Sequence, residues 1–210
     1  MKKTMLCMFS GGVDSTGVLW KLLSSDDYKD WHIHVHHINI VSQEDRHIAE
    51  GYAVDNILKK IRNDYDFRLF DYTESTIDTS FLRKPLFKNF MFDTDALAFV
   101  GAQMCLGNRT IRYIVTGRSK TDEEESSSHF RINKSRDVFN ACLDGYPEDL
   151  EFPTYNPILI HLSKSEIWDM LPEDIRVLTH WCRRPSYFDD NVIPCGKCNT
   201  CKQMNEIRGQ

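Results

Sequence analysis

The sequence contains no apolar run approaching the roughly 20 residues that a helix needs to cross a bilayer, which excludes a helical membrane span. Basic charge is also short: 26 Lys and Arg face 31 Asp and Glu, a net charge of −5. That balance, with no basic extension, argues against a nucleic-acid or membrane partner, so an anionic ligand must be held by a local site. No internal repeat is present. The stretch MKKTMLCMFSGG starts basic but meets glycine before a signal-peptide core can form. The expected location is therefore cytoplasmic, where structural disulfides are disfavoured.

What is present is ordinary in bulk and uneven in detail. A chain of 210 residues, 41% hydrophobic and 27% charged, suffices for one compact domain with at most a small appendage. Seven cysteines need a role in a reducing compartment. Cys7, Cys105 and Cys142 are scattered, whereas Cys182, Cys195, Cys198 and Cys201 crowd the last thirty residues.

Hydrophobic periodicity alternates between strand and helix. Met5–Phe9, His32–Ile40, Phe67–Tyr72 and Tyr113–Thr116 read as strands. Asp14–Leu23, Ala49–Ile61, Asp95–Leu106 and Ser135–Leu143 read as helices. The polar run from Ser119 to Asn133 reads as a solvated loop that can also serve as a ligand lid. Ser163 followed three residues later by Glu166 predicts another helix start. This alternation predicts an α/β fold with a Rossmann-like, mostly parallel sheet and ligands at the carboxyl ends of its strands. The expected division is an α/β domain over 1–171 and a cysteine-rich tail over 172–210 packed on it.

Ser10-Gly11-Gly12-Val13-Asp14-Ser15-Thr16 lies where the first strand turns into the first helix. Two glycines permit a tight turn and close backbone approach to a ligand. The unpaired N–H groups of the first helical turn favour an anion. Ser10, Ser15 and Thr16 add hydroxyls. The Gly-Lys-Ser/Thr ending of a Walker A loop is absent, so phosphate charge would be offset by backbone amides and a bound metal. Asp14 is a poor phosphate contact and a better Mg²⁺ ligand or helix cap.

The tail spacing Cys182-x12-Cys195-x2-Cys198-x2-Cys201 offers four thiolates, three of them on one knuckle that Gly196 lets turn. A closed structural zinc site is expected. Spacing alone leaves an iron–sulfur cluster or a redox Cys-x-x-Cys as alternatives. His32, His34 and His36 share a strand face, as a solvated or edge-strand surface more than a metal site. Cys7, Cys105 and Cys142 read as small core residues. Arg183 and Arg184 read as packing or a surface pair.

The string Ser-Gly-Gly-Val-Asp-Ser after an apolar strand resembles the pyrophosphatase loop of the adenine nucleotide α-hydrolase, or PP-loop, superfamily. With the cysteine tail, nearly the whole chain resembles the 7-cyano-7-deazaguanine synthase family of queuosine biosynthesis. Further elements carry the likeness: Arg46-His47-x-x-Glu50, Pro157-Ile158-Leu159 with Leu162-Ser163-Lys164-Ser165-Glu166-Ile167, and Thr179-His180-Trp181-Cys182-Arg183-Arg184-Pro185. Gly117 and Asp122 sit where the family has a Gly-x-Asn-x-x-Asp loop. The chain departs from the family at Phe92-Asp93-Thr94, where the family has Arg-Asn-Thr. It departs again at Ser119, where the family has Asn, and in the acidic run Asp122–Glu125.

The resemblance implies a ligase using ATP, Mg²⁺ and Zn²⁺. The carboxylate of 7-carboxy-7-deazaguanine attacks the α-phosphate, ammonia displaces AMP to give an amide, and a second ATP activates that amide towards the nitrile. It implies Asp14, Ser15 and Lys164 as catalytic, and Ser10, Gly11, Gly12, Val13, Asp14, Ser15, Thr16 and Gly117 as nucleotide-binding. Arg46, His47, Asp93, Arg118 and Asp122 are implied on the substrate side, and Cys182, Cys195, Cys198 and Cys201 on zinc. The expected partners are a small deazapurine and ammonia, with no nucleic acid and a homodimer allowed. The alternatives are a divergent PP-loop enzyme that makes a related amide or modifies tRNA, and a non-catalytic nucleotide-sensing or interaction module.

Overall fold

An apolar run without alternation belongs in the middle of a sheet, and all five residues of β1 (Thr4–Met8) are buried. The computed structural model describes residues 2–42, 44–81, 92–124, 126–189 and 191–209. Four further strands, β2 (His32–Val41), β3 (Asp71–Asp78), β4 (Ile111–Val115) and β5 (Thr154–Tyr155), complete a parallel sheet of order β3-β2-β1-β4-β5. The α/β expectation is met.

Alternate residues of β1 feed two cores. Met5 and Cys7 join Ile33 and Val35 under α1 (Val13–Ser24) and α2 (Arg46–Asp64). Leu6 and Met8 meet Ile111 and Ile114 under α3 (Asp93–Gly107) and α5 (Ser126–Cys142). Each fully buried Leu or Ile here contributes about 1.5–3 kcal/mol of burial. Between α3 and α5 along the chain lies the short α4 (Lys120–Glu124). The helix α6 (Lys164–Met170) starts at the expected capping box: the Ser163 Oγ accepts from the Glu166 N–H, and the Glu166 carboxylate accepts from the Ser163 N–H at 2.7 Å.

The tail carries α7 (Glu173–Arg176), a hairpin of β6 (Ser186–Phe188) and β7 (Asn191–Ile193), and α8 (Asn199–Arg208). It packs on the first core through Met204, Ile175 and Trp181. No helix among the described residues is long and apolar enough to cross a membrane.

Three expectations change. The strand expected at Phe67–Tyr72 begins at Asp71. Tyr65 and Phe67 instead pack edge-on against Trp20 at 4.9 and 5.0 Å, and Arg62 lies over Phe70. The aromatic signal is therefore core-capping, and the edge strand itself is polar. The run expected as a loop from Ser119 to Asn133 is largely helical, in α4 and α5. Ile132, Ser135, Phe139 and Cys142 recur at helical spacing, and Phe139 packs in the second core. Glu125, the last of the acidic run, lies outside the described residues. The histidine face is also less solvated than expected, since His36 and His37 are buried. His32, His34 and His36 hydrogen-bond Asp71, Thr73 and Ser75 across the sheet edge. Cys7 and Cys105 are core residues, and burial pushes both thiols up to about 12.

Candidate functional site

Strand order reverses at β1, since β2 lies on one side and β4 on the other. The loops leaving β1 and β4 diverge there, which opens the crevice where ligands of such sheets bind. A cleft of about 930 Å³ occupies it. Ser10, Gly12, Val13, Asp14 and Ser15 line one end, and Gly117, Arg118 and Asp122 the side after β4. Met8, Ile38 and Leu97 give it an apolar floor.

The glycine loop is knitted by Ser15. Its Oγ accepts from the Ser10 N–H at 3.2 Å and donates to the Gly12 carbonyl at 3.1 Å. The first intrahelical bond runs from Thr16 N–H to Gly12 O at 2.9 Å. The N–H groups of Val13, Asp14 and Ser15 therefore stand at the positive end of α1. Gly11 has φ +70°, and a Cβ there would lie 2.8 Å from the Ala53 Cβ. A Cβ on Gly117 would lie 2.5 Å from the Ser15 backbone nitrogen, so the β4 loop rests directly on the glycine loop. Thr16 and Gly11 support the loop from behind and do not line the cleft.

Lys164 is not a solvated first-turn lysine. Its side chain is 12% exposed, and its Nζ lies 3.0 Å from the Asp14 carboxylate. The Lys164 N–H is held by the Thr121 Oγ1, and Lys120 N–H donates to Leu162 O, so α4 locks the start of α6 over the loop. Burial pushes the Asp14 carboxyl above its ordinary range, Lys164 pulls against it, and Asp122 adds to the rise. Asp14 Oδ1 is buried without a hydrogen-bond partner among the described residues. A carboxylate oxygen beside a phosphate-sized cradle fits a hard divalent cation. Ser119 is buried and turns its N–H and Oγ to Asp122 at 3.0 and 2.9 Å, capping α4 instead of facing ligand.

Across the cleft lies a second charged group. Arg46 on α2 donates to Asp93 at 2.6 Å and pairs with Glu50. Arg183 from the tail donates to the same Asp93 oxygen at 2.9 Å. Burial pushes the Asp93 carboxyl up, but the two guanidiniums outweigh it and hold it at about 2. Glu50 and Asp93 together raise Arg46 against the opposing effect of burial. His47 lies outside the cleft lining, and its Nδ1 is buried without a hydrogen-bond partner among the described residues. Arg183 and Arg184, read from sequence as packing or a surface pair, both line the cleft. Sequence reasoning also missed His180 and Arg131. The position of Arg183 beside Cys182 was the available signal, because a residue next to one held in the cysteine cluster is itself held in place.

In the tail, Cys182, Cys195, Cys198 and Cys201 bring their four Sγ atoms within 4.8 Å of one another. The N–H groups of Cys195 and Arg184 donate to Cys182 Sγ at 3.1 and 3.4 Å. The donor set is all sulfur and fits a thiophilic metal centre. Its knuckle borders the cleft through Cys198, Asn199, Thr200 and Gln203.

No family model matches the chain, and no curated protein matches it. Among solved structures, it is similar to the U34-tRNA thiolase NcsA from Methanococcus maripaludis with its [4Fe-4S] cluster, at 13% identity and a TM-score of 0.47. The match covers 99% of this chain and 63% of that one, so the chain spans under two thirds of that protein's length.

Proposed function

We propose that the chain is an ATP-dependent ligase of the PP-loop type. It would bind the triphosphate on the Ser10–Thr16 loop and transfer AMP to the carboxylate of a small deazapurine, 7-carboxy-7-deazaguanine, before ammonia displaces it. The supporting observation is the convergence on one cleft of the α1 N-terminus, the buried Lys164 and the close-packed Gly117 loop. A cleft of about 930 Å³ has room for a nucleotide and a second small molecule.

The roles we assign are these. The α1 amides and Lys164 face the charge that develops on departing pyrophosphate, and they are fixed before the reaction begins. Ser15 holds the loop's shape. Asp14 Oδ1, with phosphate oxygens, would hold Mg²⁺, which supplies charge neutralisation when bound. The substrate carboxylate attacks the α-phosphorus, the bond to the β-phosphate oxygen breaks, and pyrophosphate leaves. Ammonia then adds to the acyl carbon and AMP leaves with the acyl–oxygen bond. In the second round the amide oxygen attacks the α-phosphorus of a second ATP and pyrophosphate leaves. The C–O bond then breaks with AMP, and loss of the two amide N–H protons leaves the nitrile. Holding both reactants in line is the enzyme's main contribution, and no protein nucleophile is needed.

For the tail we favour zinc. Four thiolates at about 2.3 Å from one tetrahedral ion lie roughly 3.8 Å apart, in keeping with sulfurs clustered within 4.8 Å. A cubane cluster binds its cysteines to separate irons and spreads them wider.

The test is turnover with ATP, Mg²⁺, ammonium and 7-carboxy-7-deazaguanine, read as AMP and as product mass. AMP with nitrile is expected. Amide alone would make the protein a half-reaction enzyme, and no AMP would overturn the ligase reading.

A further inference from the structure

On β2, His37 falls out of phase with His32, His34 and His36, so it lies on the other face of the strand. It is 1% exposed and lines the main cleft. Met8 opposite His36 is the last pair of the β1–β2 register. One residue later the Phe9 N–H still donates to the His36 carbonyl at 2.8 Å, but the Phe9 carbonyl has left the ladder. The His37 ring meets it instead, with Nδ1 at 2.8 Å. A carbonyl oxygen only accepts, so Nδ1 carries the proton. The ring's Nε2 lies 3.2 Å from Asn39 Oδ1, so both nitrogens are engaged and the ring is held against rotation.

The peptide between Phe9 and Ser10 opens the glycine loop. Its carbonyl is held from β2 by His37, and its N–H is held from α1 by Ser15 Oγ at 3.2 Å. The peptide unit is rigid and planar, so a grip on both of its polar groups fixes its tilt. A ladder bond from β2 would keep the Phe9 carbonyl in strand geometry, whereas the chain has to turn at Gly11, with φ +70°. A side-chain donor satisfies the carbonyl of this buried residue and still lets the chain leave the sheet. We propose that His37 is a positioning residue of the phosphate cradle: its Nδ1–H orients the Phe9–Ser10 peptide and so aims the α1 amides into the cleft. His37 acts through the loop and not on a reacting atom. The inference rests on the reading of Ser10–Thr16 as a nucleotide loop and adds the side chain that sets the loop's shape.

The experiment compares His37→Leu, which removes the donor, with His37→Asn, whose side-chain NH₂ can stand where Nδ1 stands. Calorimetric titration of the metal-loaded full chain with ATP and Mg²⁺ reads the loop, and thermal unfolding reads the fold. His37→Leu should lose ATP affinity by roughly tenfold or more, because small displacements at such sites cost heavily. His37→Asn should recover most of that loss whatever its own melting temperature, whereas a merely structural role predicts losses that follow stability. A folded His37→Leu protein with wild-type affinity, or a His37→Asn protein that binds no tighter than His37→Leu, would overturn the proposal. Nitrogen NMR of the wild-type ring needs no variant: a protonated Nδ1 is expected, and a ring protonated at Nε2 alone would overturn it equally. The titration also separates this inference from the reading beneath it. Wild type that binds no ATP ends both, while ATP binding that His37→Leu leaves unchanged ends only this one.

Discussion

The backbone N–H of His180 donates to the Gly11 carbonyl at 2.9 Å. His180 stands two residues before the first cysteine of the four-cysteine cluster, and its ring Nε2 contacts the Cys182 carbonyl at 2.9 Å. Its own carbonyl lies 3.3 Å from where a Gly12 Cβ would sit. The cysteine knuckle thus braces the glycine loop from outside, while Arg183, Arg184 and Tyr187 tie it to Asp93, Glu44 and the Asp45 carbonyl.

Metal removal should therefore reach the proposed nucleotide site. A metal-free protein, or a Cys198→Ser variant, is expected to unfold at lower temperature and to bind ATP several-fold more weakly. Thermal unfolding, metal analysis and titration with ATP check this together. A variant without metal that keeps wild-type ATP affinity would show that the brace is idle.

Gly117→Ala tests the contact between the two loops. The added Cβ meets the backbone at Ser15 N (2.5 Å) and Asp14 C (2.8 Å), so the loop must shift. ATP affinity should fall at least about tenfold, since small displacements at such sites cost heavily. Gly107→Ala is the control. Its Cβ meets nothing within 4 Å in the last turn of α3, and the change should stabilise by about 0.4–1 kcal/mol. Equal ATP affinity in the two variants would contradict the packing account.

Much of this was legible in the chain because local chemistry carried it. The apolar β1, the glycine turn, the Ser163–Glu166 capping box and the four-cysteine spacing each announce themselves within a few residues. What was hidden depends on contacts distant in sequence. Nothing near Arg183 states that Asp93, 90 residues earlier, will meet it. The Ser119–Asn133 run carries turn-forming residues that masked a helix whose apolar residue Phe139 lies beyond the run, in the second core. The polar edge strand β3 was obscured by aromatics whose task is to cover Trp20. The Lys164–Asp14 pair, 150 residues apart, is likewise not announced by anything near either residue.

The Lys164–Asp14 pair predicts an asymmetry between single and double variants. Lys164→Ala leaves a mostly buried carboxylate without its cation, at a cost of about 2–3 kcal/mol near pH 7. The folded-state pKa of Asp14 is already raised by burial, so its ionisation opposes folding, and losing Lys164 raises it further. A raised carboxyl pKa gives stability at low pH that is lost as pH rises through the folded value. The deficit of Lys164→Ala should therefore shrink on acidification, and Asp14→Asn/Lys164→Ala should recover most of it. Denaturant unfolding from pH 4 to 8 checks both. A deficit independent of pH, unrelieved in the double variant, would mean that Lys164 acts by packing alone.

His36 predicts the opposite acid response. Burial lowers its pKa to about 4, helped by the neighbouring His34 and His37, while its two ring nitrogens meet Thr73 Oγ1 and Ser75 Oγ at 2.8 and 3.0 Å. A lowered histidine pKa means the folded state holds the neutral ring. That stability is complete above the unfolded value of about 6.5 and is lost as pH falls towards the folded value. The loss amounts to roughly 3 kcal/mol between pH 6.5 and 4, from the shift at about 1.36 kcal/mol per pKa unit. His36→Gln keeps hydrogen-bonding capacity but cannot titrate, so its stability should be flatter across that window. NMR titration of the imidazole and unfolding at stepped pH are the measurements. A His36 resonance that titrates near 6.5, or a variant whose stability falls with acid as steeply as wild type, would assign the acid response of the β2–β3 edge to another group.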